Sequence, residues 1–212
     1  MEIVREAIEA YCEEISELEP VILQEINRET HAKVMKPRML SGHFQGRVLS
    51  LIANLINPKC ILEIGTYTGY SAICLAEGLQ PDGKLITIEV DEELESTILT
   101  NIANAGLESK IHLKIGKALE VIESLDETFD IVFIDADKLN YERYYDAVFD
   151  KVAKGGIILS DNVLWSGKIV NDNAKDKTTE FLRKYNLKLK NDPRTQKVLL
   201  PIRDGLFVSR KL

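Results

Sequence analysis

From Cys60 onward, short apolar runs alternate with amphipathic segments, and several of the runs stop at an acidic residue. Runs at 60–64, 84–89, 110–115, 129–134 and 156–160 are rich in β-branched residues and read as strands. The intervening segments at 69–79, 92–105, 118–125 and 141–153 carry apolar residues at helical spacing. Near-continuous apolar strands separated by helices predict an α/β architecture, a doubly wound and mostly parallel sheet covered on both faces. A last helix at 176–190 precedes two strands, 196–202 and 206–211, turned by Asp204-Gly205, so the sheet is expected to finish in an antiparallel hairpin.

The segment before the first strand is helical throughout. Ile3, Val4, Ala7, Ile8, Tyr11, Cys12, Ile15 and Leu18 form one apolar stripe, which Pro20 ends. A second helix is expected over 21–32, and a third presents Phe44, Val48, Leu51, Ile52 and Leu55. The chain therefore divides into a helical segment, 1–58, that caps or dimerises the core, and an α/β domain, 59–212.

Net charge narrows the partners. At −7 over 212 residues the chain lacks the basic balance of a broad nucleic-acid binder, although Lys33, Lys36, Arg38 and Arg47 offer a local patch. No apolar run approaches the roughly 18 residues needed to span a membrane, and the charged opening Met1–Arg5 is unlike a secretion signal. Cys12, Cys60 and Cys74 are odd in number and scattered among apolar neighbours, which suits buried free thiols in a reducing cytosol.

In an open parallel sheet, ligands bind beyond the carboxyl ends of the strands. The run Ile131-Val-Phe-Ile134 leads into Asp135-Ala-Asp-Lys138, and the run ending at Leu159 leads into Asp161-Asn162. If these strands are neighbours, Asp135, Asp161 and Asn162 present hard oxygen donors to a divalent cation, with the Lys138 ammonium beside them. Each piece alone has a plainer use: Asp161-Asn162 caps a turn, Asp135 ends a strand, and Lys138 is a solvated surface residue.

The first strand ends in Glu63-Ile-Gly-Thr-Tyr-Thr-Gly-Tyr-Ser71 and passes straight into a helix. Gly65 and Gly69 permit a tight turn and close backbone approach to a ligand, or simply close packing of helix on strand. Twenty residues after Gly69 the second strand ends in Glu89, placed to accept the hydroxyl hydrogens of an adenosine ribose. The loop is GxxxG preceded by an acid, not the GxGxxG of a dinucleotide site. Glu63 would repel a pyrophosphate but orient a cationic amino-acid tail, which favours S-adenosylmethionine over NAD.

The loop 63–71, Phe133-Ile-Asp-Ala-Asp-Lys138, Asp161-Asn-Val-Leu-Trp-Ser-Gly167 and Leu200-Pro-Ile-Arg-Asp-Gly205 together resemble the cation-dependent O-methyltransferases, which include the caffeoyl-CoA and catechol O-methyltransferase groups. The resemblance runs in order from about Met39 to the C-terminus and implies a class I, Rossmann-like seven-stranded sheet. It implies that Glu63, Gly65, Thr66, Tyr67 and Ser71 lie along the methionine end of the cofactor and Glu89 at the ribose. Ala118 would lie near the adenine, with Asp135, Asp137 and Ser41 as further contacts. Asp135, Asp161 and Asn162 would hold Mg²⁺, Mn²⁺ or Ca²⁺; Lys138, Trp165 and Ser166 would meet the substrate. Two residues depart from the family pattern: Ser166 replaces an asparagine usual in plant members, and Arg203 replaces the glycine of a Pro-Ile-Gly-Asp-Gly turn.

The chemistry accounts for these residue types. A phenol with a pKa near 10 is a poor nucleophile at neutral pH, and a bound cation favours its phenolate. Two vicinal hydroxyls can chelate one ion, so the expected acceptor is a catechol-like small molecule. Lys138 is the candidate to take the proton or stabilise the phenolate, with Asp135 beside it. A tRNA 5-hydroxyuridine is the alternative acceptor, since similar proteins carry out that reaction. The resemblance further implies a homodimer. His31, His43 and His112 lack partnered spacing, and Tyr141, Tyr144 and Tyr145 read as packing residues. Met35 and Met39 are candidate walls of the site, and Trp165 either stacks on an aromatic acceptor or packs its own loop.

Overall fold

The computed structural model describes residues 6–212, so Ile3, Val4 and the opening Met1–Arg5 lie outside the described residues. Three helices come first: α1 (Glu6–Ile15), α2 (Val21–Lys33) and α3 (Gly42–Ile56). The α/β part then runs β1 (Cys60–Ile64), α4 (Tyr70–Ala76), β2 (Lys84–Glu89), α5 (Glu95–Asn104), β3 (Ile111–Ile115), α6 (Ala118–Ser124) and β4 (Phe129–Ile134). It ends with α7 (Tyr141–Phe149), β5 (Val152–Ser160), α8 (Lys177–Asn191), β6 (Thr195–Leu200) and β7 (Leu206–Lys211).

The seven strands form one sheet in the order β3-β2-β1-β4-β5-β7-β6. All pairs from β3 to β5 are parallel, and β7 joins β5 and β6 antiparallel, as the sequence pattern predicts. Strand order reverses between β1 and β4, which opens a crevice at their carboxyl ends. Alternate strand residues feed two apolar layers. Ile61, Leu85, Ile131 and Phe133 pack with residues of α2 to α5, and Leu62, Ile64, Val132 and Ile134 pack with residues of α6 to α8. The N-terminal helices share the first of these cores through Leu23, Ile26, Leu49 and Ala53.

Two local expectations are corrected. The helix expected over 141–153 stops at Phe149, because Val152 already pairs with Phe129 at the start of β5, before a register shift. The apolar stripe Phe44, Val48, Leu51, Ile52 and Leu55 of α3 is only partly inward: Phe44, Val48 and Ile52 are half-buried, the last two against the core. Leu51 and Leu55 are 61% and 76% exposed, whereas Gln45, Leu49 and Ala53, spaced four apart, are fully buried. Helix α4 takes the side of α3 with small residues, where Gly46, Ser50 and Ala53 allow close approach, and Leu51 and Leu55 are left outside. Helix α1 is turned the same way, with Ile8, Tyr11 and Ile15 exposed and Glu9, Cys12 and Glu13 half-buried. Of the cysteines, Cys60 and Cys74 are buried free thiols as expected, while Cys12 is only half-buried.

The face assignment of α3 has a direct check. Leu49→Ala is expected to lower unfolding free energy by about 2–5 kcal/mol, and Leu51→Ala by about 0.5 kcal/mol or less, in urea melts of dilute protein. The reverse ranking would place the other stripe inward.

Candidate active site

A cleft of about 1900 Å³ lies over the carboxyl ends of β1, β2, β4 and β5. On its β1 side the chain turns through Gly65, whose φ is +99°. A Cβ there would sit 2.0 Å from the Asp135 carbonyl oxygen, so only glycine lets the β1 and β4 loops pass each other. Thr66, Tyr67 and Ser71 line the same wall, with Ser41 and Ala118 contributing at its edges. Tyr67 N–H donates to Glu89 Oε2 at 2.7 Å, and the backbone N–H groups of Val90 and Asp91 donate to Oε1. These bonds hold the Glu89 carboxylate at the end of β2; Oε1 already accepts two, and Oε2, which accepts one, retains acceptor capacity for a ligand.

Glu63 stands behind this wall rather than on it, with no solvent exposure. Burial pushes its carboxyl up to about 8, against the opposing hydroxyls of Ser71 and Thr87. Thr87 Oγ1 donates to Oε2 at 2.5 Å, whereas Oε1 has no hydrogen-bond partner. An unmet buried acceptor on an acid kept neutral by burial suits a cationic ligand, which would favour ionisation.

The β4 and β5 ends converge as their predicted adjacency requires, with Ile134 paired to Ser160. Lys138 Nζ donates to Asp135 Oδ1 and to Asn162 Oδ1, each at 2.9 Å, and to the Tyr141 hydroxyl. Asp161 is fully buried beside them. Its Oδ1 accepts from Asn162 N–H at 2.8 Å and its Oδ2 from Gln45 Nε2 at 2.7 Å. Burial and the neighbouring Asp135 charge push the Asp161 carboxyl up to about 6. Two carboxylates that repel one another and an amide oxygen make a hard oxygen donor set, the type that holds Mg²⁺, Mn²⁺ or Ca²⁺. The third donor is an amide: among the described residues no three His, Cys, Asp or Glu side chains gather as a metal cluster.

Several residues of this site escaped the sequence reading. Tyr141, read as packing, is fully buried but meets Lys138 and bonds the carbonyl oxygens of Ile134 and Asp161, tying the two strand ends together. The Tyr144 hydroxyl donates to Asp137, which lines the cleft. Gln45 and Thr87 hold Asp161 and Glu63 from below. The spacing of Lys138 and Tyr141, one helical turn, was the available signal; nothing in sequence links Gln45 to Asp161, 116 residues apart. Trp165 packs against the second core and also lines the cleft, and Ser166 N–H donates to Asp204. Met35 and Met39 also line the cleft. His43 does not; its ring nitrogen bonds the Glu17 carbonyl. The basic patch loses Arg47, which is buried against Glu77 at 2.8 Å, and Lys33 pairs with Glu29.

A family model described as O-methyltransferase matches residues 13–212. Caffeoyl-CoA O-methyltransferase 5 of Nicotiana tabacum is 35% identical over 92% of this chain and 85% of its own length. Caffeoyl-CoA O-methyltransferase 1 of Arabidopsis thaliana is 36% identical over 92% of this chain and 79% of its own. Among solved structures, the SAH-bound methyltransferase of Podospora anserina superposes with a TM-score of 0.89 at 29% identity, covering 97% of this chain and 94% of that one. The O-methyltransferase of Bacillus cereus in complex with SAH gives 0.89 at 27% identity, covering 97% of both chains. The chain belongs to the O-methyltransferase family and is an enzyme of the S-adenosylmethionine-dependent kind.

Proposed function

We propose that the enzyme moves the S-adenosylmethionine methyl group to one hydroxyl of a catechol-like small molecule, with a divalent cation held by Asp135, Asp161 and Asn162. One observation carries the reading: Lys138, Asp135 and Asn162 meet within 2.9 Å, with Asp161 packed beside them, at the rim of the cleft that Glu89 and Gly65 also line. Support for the cofactor comes from the unmet Glu63 oxygen and from relatives solved with SAH.

Gly65, Thr66, Tyr67 and Ser71 then form the wall for the methionine end, with Glu63 behind it as the acid that its ammonium would favour, and Glu89 takes the ribose hydroxyls. Ala118 borders the adenine, and Asp135, Asp137 and Ser41 complete the cradle. A bound cation would supply charge that favours the acceptor's phenolate. The Lys138 ammonium occupies the Asp135 and Asn162 oxygens. With a cation on those oxygens, Nζ would be released toward the acceptor, where as ammonium it would donate to the phenolate and as free amine it would take the hydroxyl proton. The oxygen forms a bond to the methyl carbon while the carbon–sulfur bond breaks, its electron pair returning to sulfur to leave S-adenosylhomocysteine. Trp165 and Ser166 border the acceptor, and Asp204 fixes the Ser166 backbone. Holding oxygen, methyl and sulfur in line is the positioning contribution of the walls.

Residues 1–58 serve as acceptor cap and dimer interface of the methyltransferase domain 59–212. The exposed stripes of two adjacent helices, Tyr11 and Ile15 on α1 with Leu51 and Leu55 on α3, support a second copy as their partner. Among the described residues no helix is long and apolar enough to cross a membrane, and the free thiols accord with a cytoplasmic enzyme. With Arg47 buried, no observation favours the tRNA acceptor.

Three outcomes test this reading. Labelled methyl transfer to caffeic acid should require Mg²⁺, stop with EDTA, and fall at least 100-fold in Asp135→Ala; EDTA-resistant transfer, or transfer only to 5-hydroxyuridine tRNA, would overturn it. Glu89→Ala should weaken S-adenosylmethionine binding by about tenfold in calorimetry, for loss of roughly 1.5 kcal/mol of charge-assisted hydrogen bonding, and unchanged affinity would remove Glu89 from the ribose site. Sedimentation should find a dimer that Leu51→Glu with Leu55→Glu converts to monomer; a wild-type monomer would refute the interface.

A further inference from the structure

Arg203 stands where the resembled families have glycine, and its backbone retains a glycine-like conformation, with φ at +46°. An L-residue is strained there, so the side chain is retained against a backbone cost. Its guanidinium spans to α3: Nη1 donates to Gln45 Oε1 at 3.2 Å and Nη2 to the Arg38 carbonyl at 3.4 Å. Gln45 is fully buried and donates its amide to Asp161 Oδ2 at 2.7 Å. A side-chain amide has a donor end and an acceptor end, and the reversed rotamer would set its oxygen against the Asp161 carboxylate. Arg203, a donor only, disfavours that reversal. The residues after it secure the same loop: the Asp204 and Gly205 carbonyls accept from Leu164 and Val163 N–H, at 2.8 and 3.1 Å.

We propose that Arg203 and Gln45 act as a positioning relay, in which Arg203 fixes the Gln45 amide and Gln45 fixes the Asp161 carboxylate for cation binding. The inference rests on the metal reading above and adds two residues from opposite ends of the chain to it. Neither touches the reacting atoms. Partners that orient ligands in this way typically account for 10–100-fold in metal affinity.

Mn²⁺ binding to the purified protein without acceptor, followed by electron paramagnetic resonance, tests the relay apart from turnover. Gln45→Met, close in volume, should weaken Mn²⁺ binding by about 10-fold or more. Arg203→Gly should weaken it by a smaller factor while leaving the melting temperature equal or higher, because glycine suits the backbone there. A residue with a purely structural role would lower the melting temperature instead. The double variant should bind no more weakly than Gln45→Met alone, since the effect of Arg203 passes through Gln45. Wild-type Mn²⁺ affinity in Arg203→Gly, or additive losses in the double variant, would overturn the relay and leave the metal site standing. A wild-type protein that binds no Mn²⁺ would overturn the metal reading itself, and the relay with it.

Discussion

Parallel pairing of β1, β4 and β5 is the constraint on which the site depends. Leu62, Ile64, Val132 and Ile134 point to one covered face, and Ile61, Ile131 and Phe133 to the other, so these strand interiors have little room for exposed polar groups. Polar function is therefore displaced to the carboxyl ends. The register aligns Ile64, Ile134 and Ser160 across three strands, and the residues just beyond them are Gly65, Asp135 and Asp161. Groups 26 to 96 residues apart in the chain thus meet because hydrogen-bonded neighbours end together.

Burial then sets the electrostatics. Glu63 and Asp161 carry carboxyls with no solvent exposure, and both are pushed upward by desolvation. An isolated buried carboxylate is costly, which is why such groups are neutralised or paired. Lys138 stands between Asp135 and Asn162 in the β4–β5 half, while the Oε1 of Glu63 has no partner in the β1 half. Both halves of the cleft thus suit positively charged guests, a sulfonium cofactor with its ammonium tail and a divalent cation. The acidic cleft floor matches that chemistry better than it would match a pyrophosphate.

How much of this was legible in sequence follows from the range of each interaction. Strand periodicity, the GxxxG loop and the acids at strand ends are local patterns, and they placed the sheet and most of the cleft. Interactions across the fold left no such trace. Gln45 is a lone polar residue near an apolar stripe, and only the packing of α3 on α4 turns it inward beneath Asp161. The same packing rotates α3 so that small residues take the close contact with α4, while Val48 and Ile52 pack at its edge and Leu51 and Leu55 face outward. Tyr141 is the packing residue that its sequence setting suggests, but the bridge its hydroxyl makes between two strand ends leaves no trace in sequence.

Backbone strain separates the two halves of the site by their tolerance for change. Among the described residues, seven non-glycine residues have positive φ, and six of them (Lys36, Tyr67, Asn162, Trp165, Ser166 and Arg203) line the cleft. Each such conformation costs about 1 kcal/mol or more and persists only where surrounding bonds hold it. Asn162 and Tyr67 are held by neighbours within the α/β domain, through Asp161 and Glu89. Lys36, Trp165, Ser166 and Arg203 instead belong to loops that come together from the N-terminal segment, the β5 exit and the C-terminal hairpin. On the proposed reading, the first group lies beside the cofactor and the cation, and the second beside the acceptor, with Met35 and Met39 as adaptable apolar surface. The transfer chemistry then sits on strand ends and the acceptor contacts on strained loops, with Arg203 the loop residue that reaches back through Gln45 to Asp161 and so couples the two.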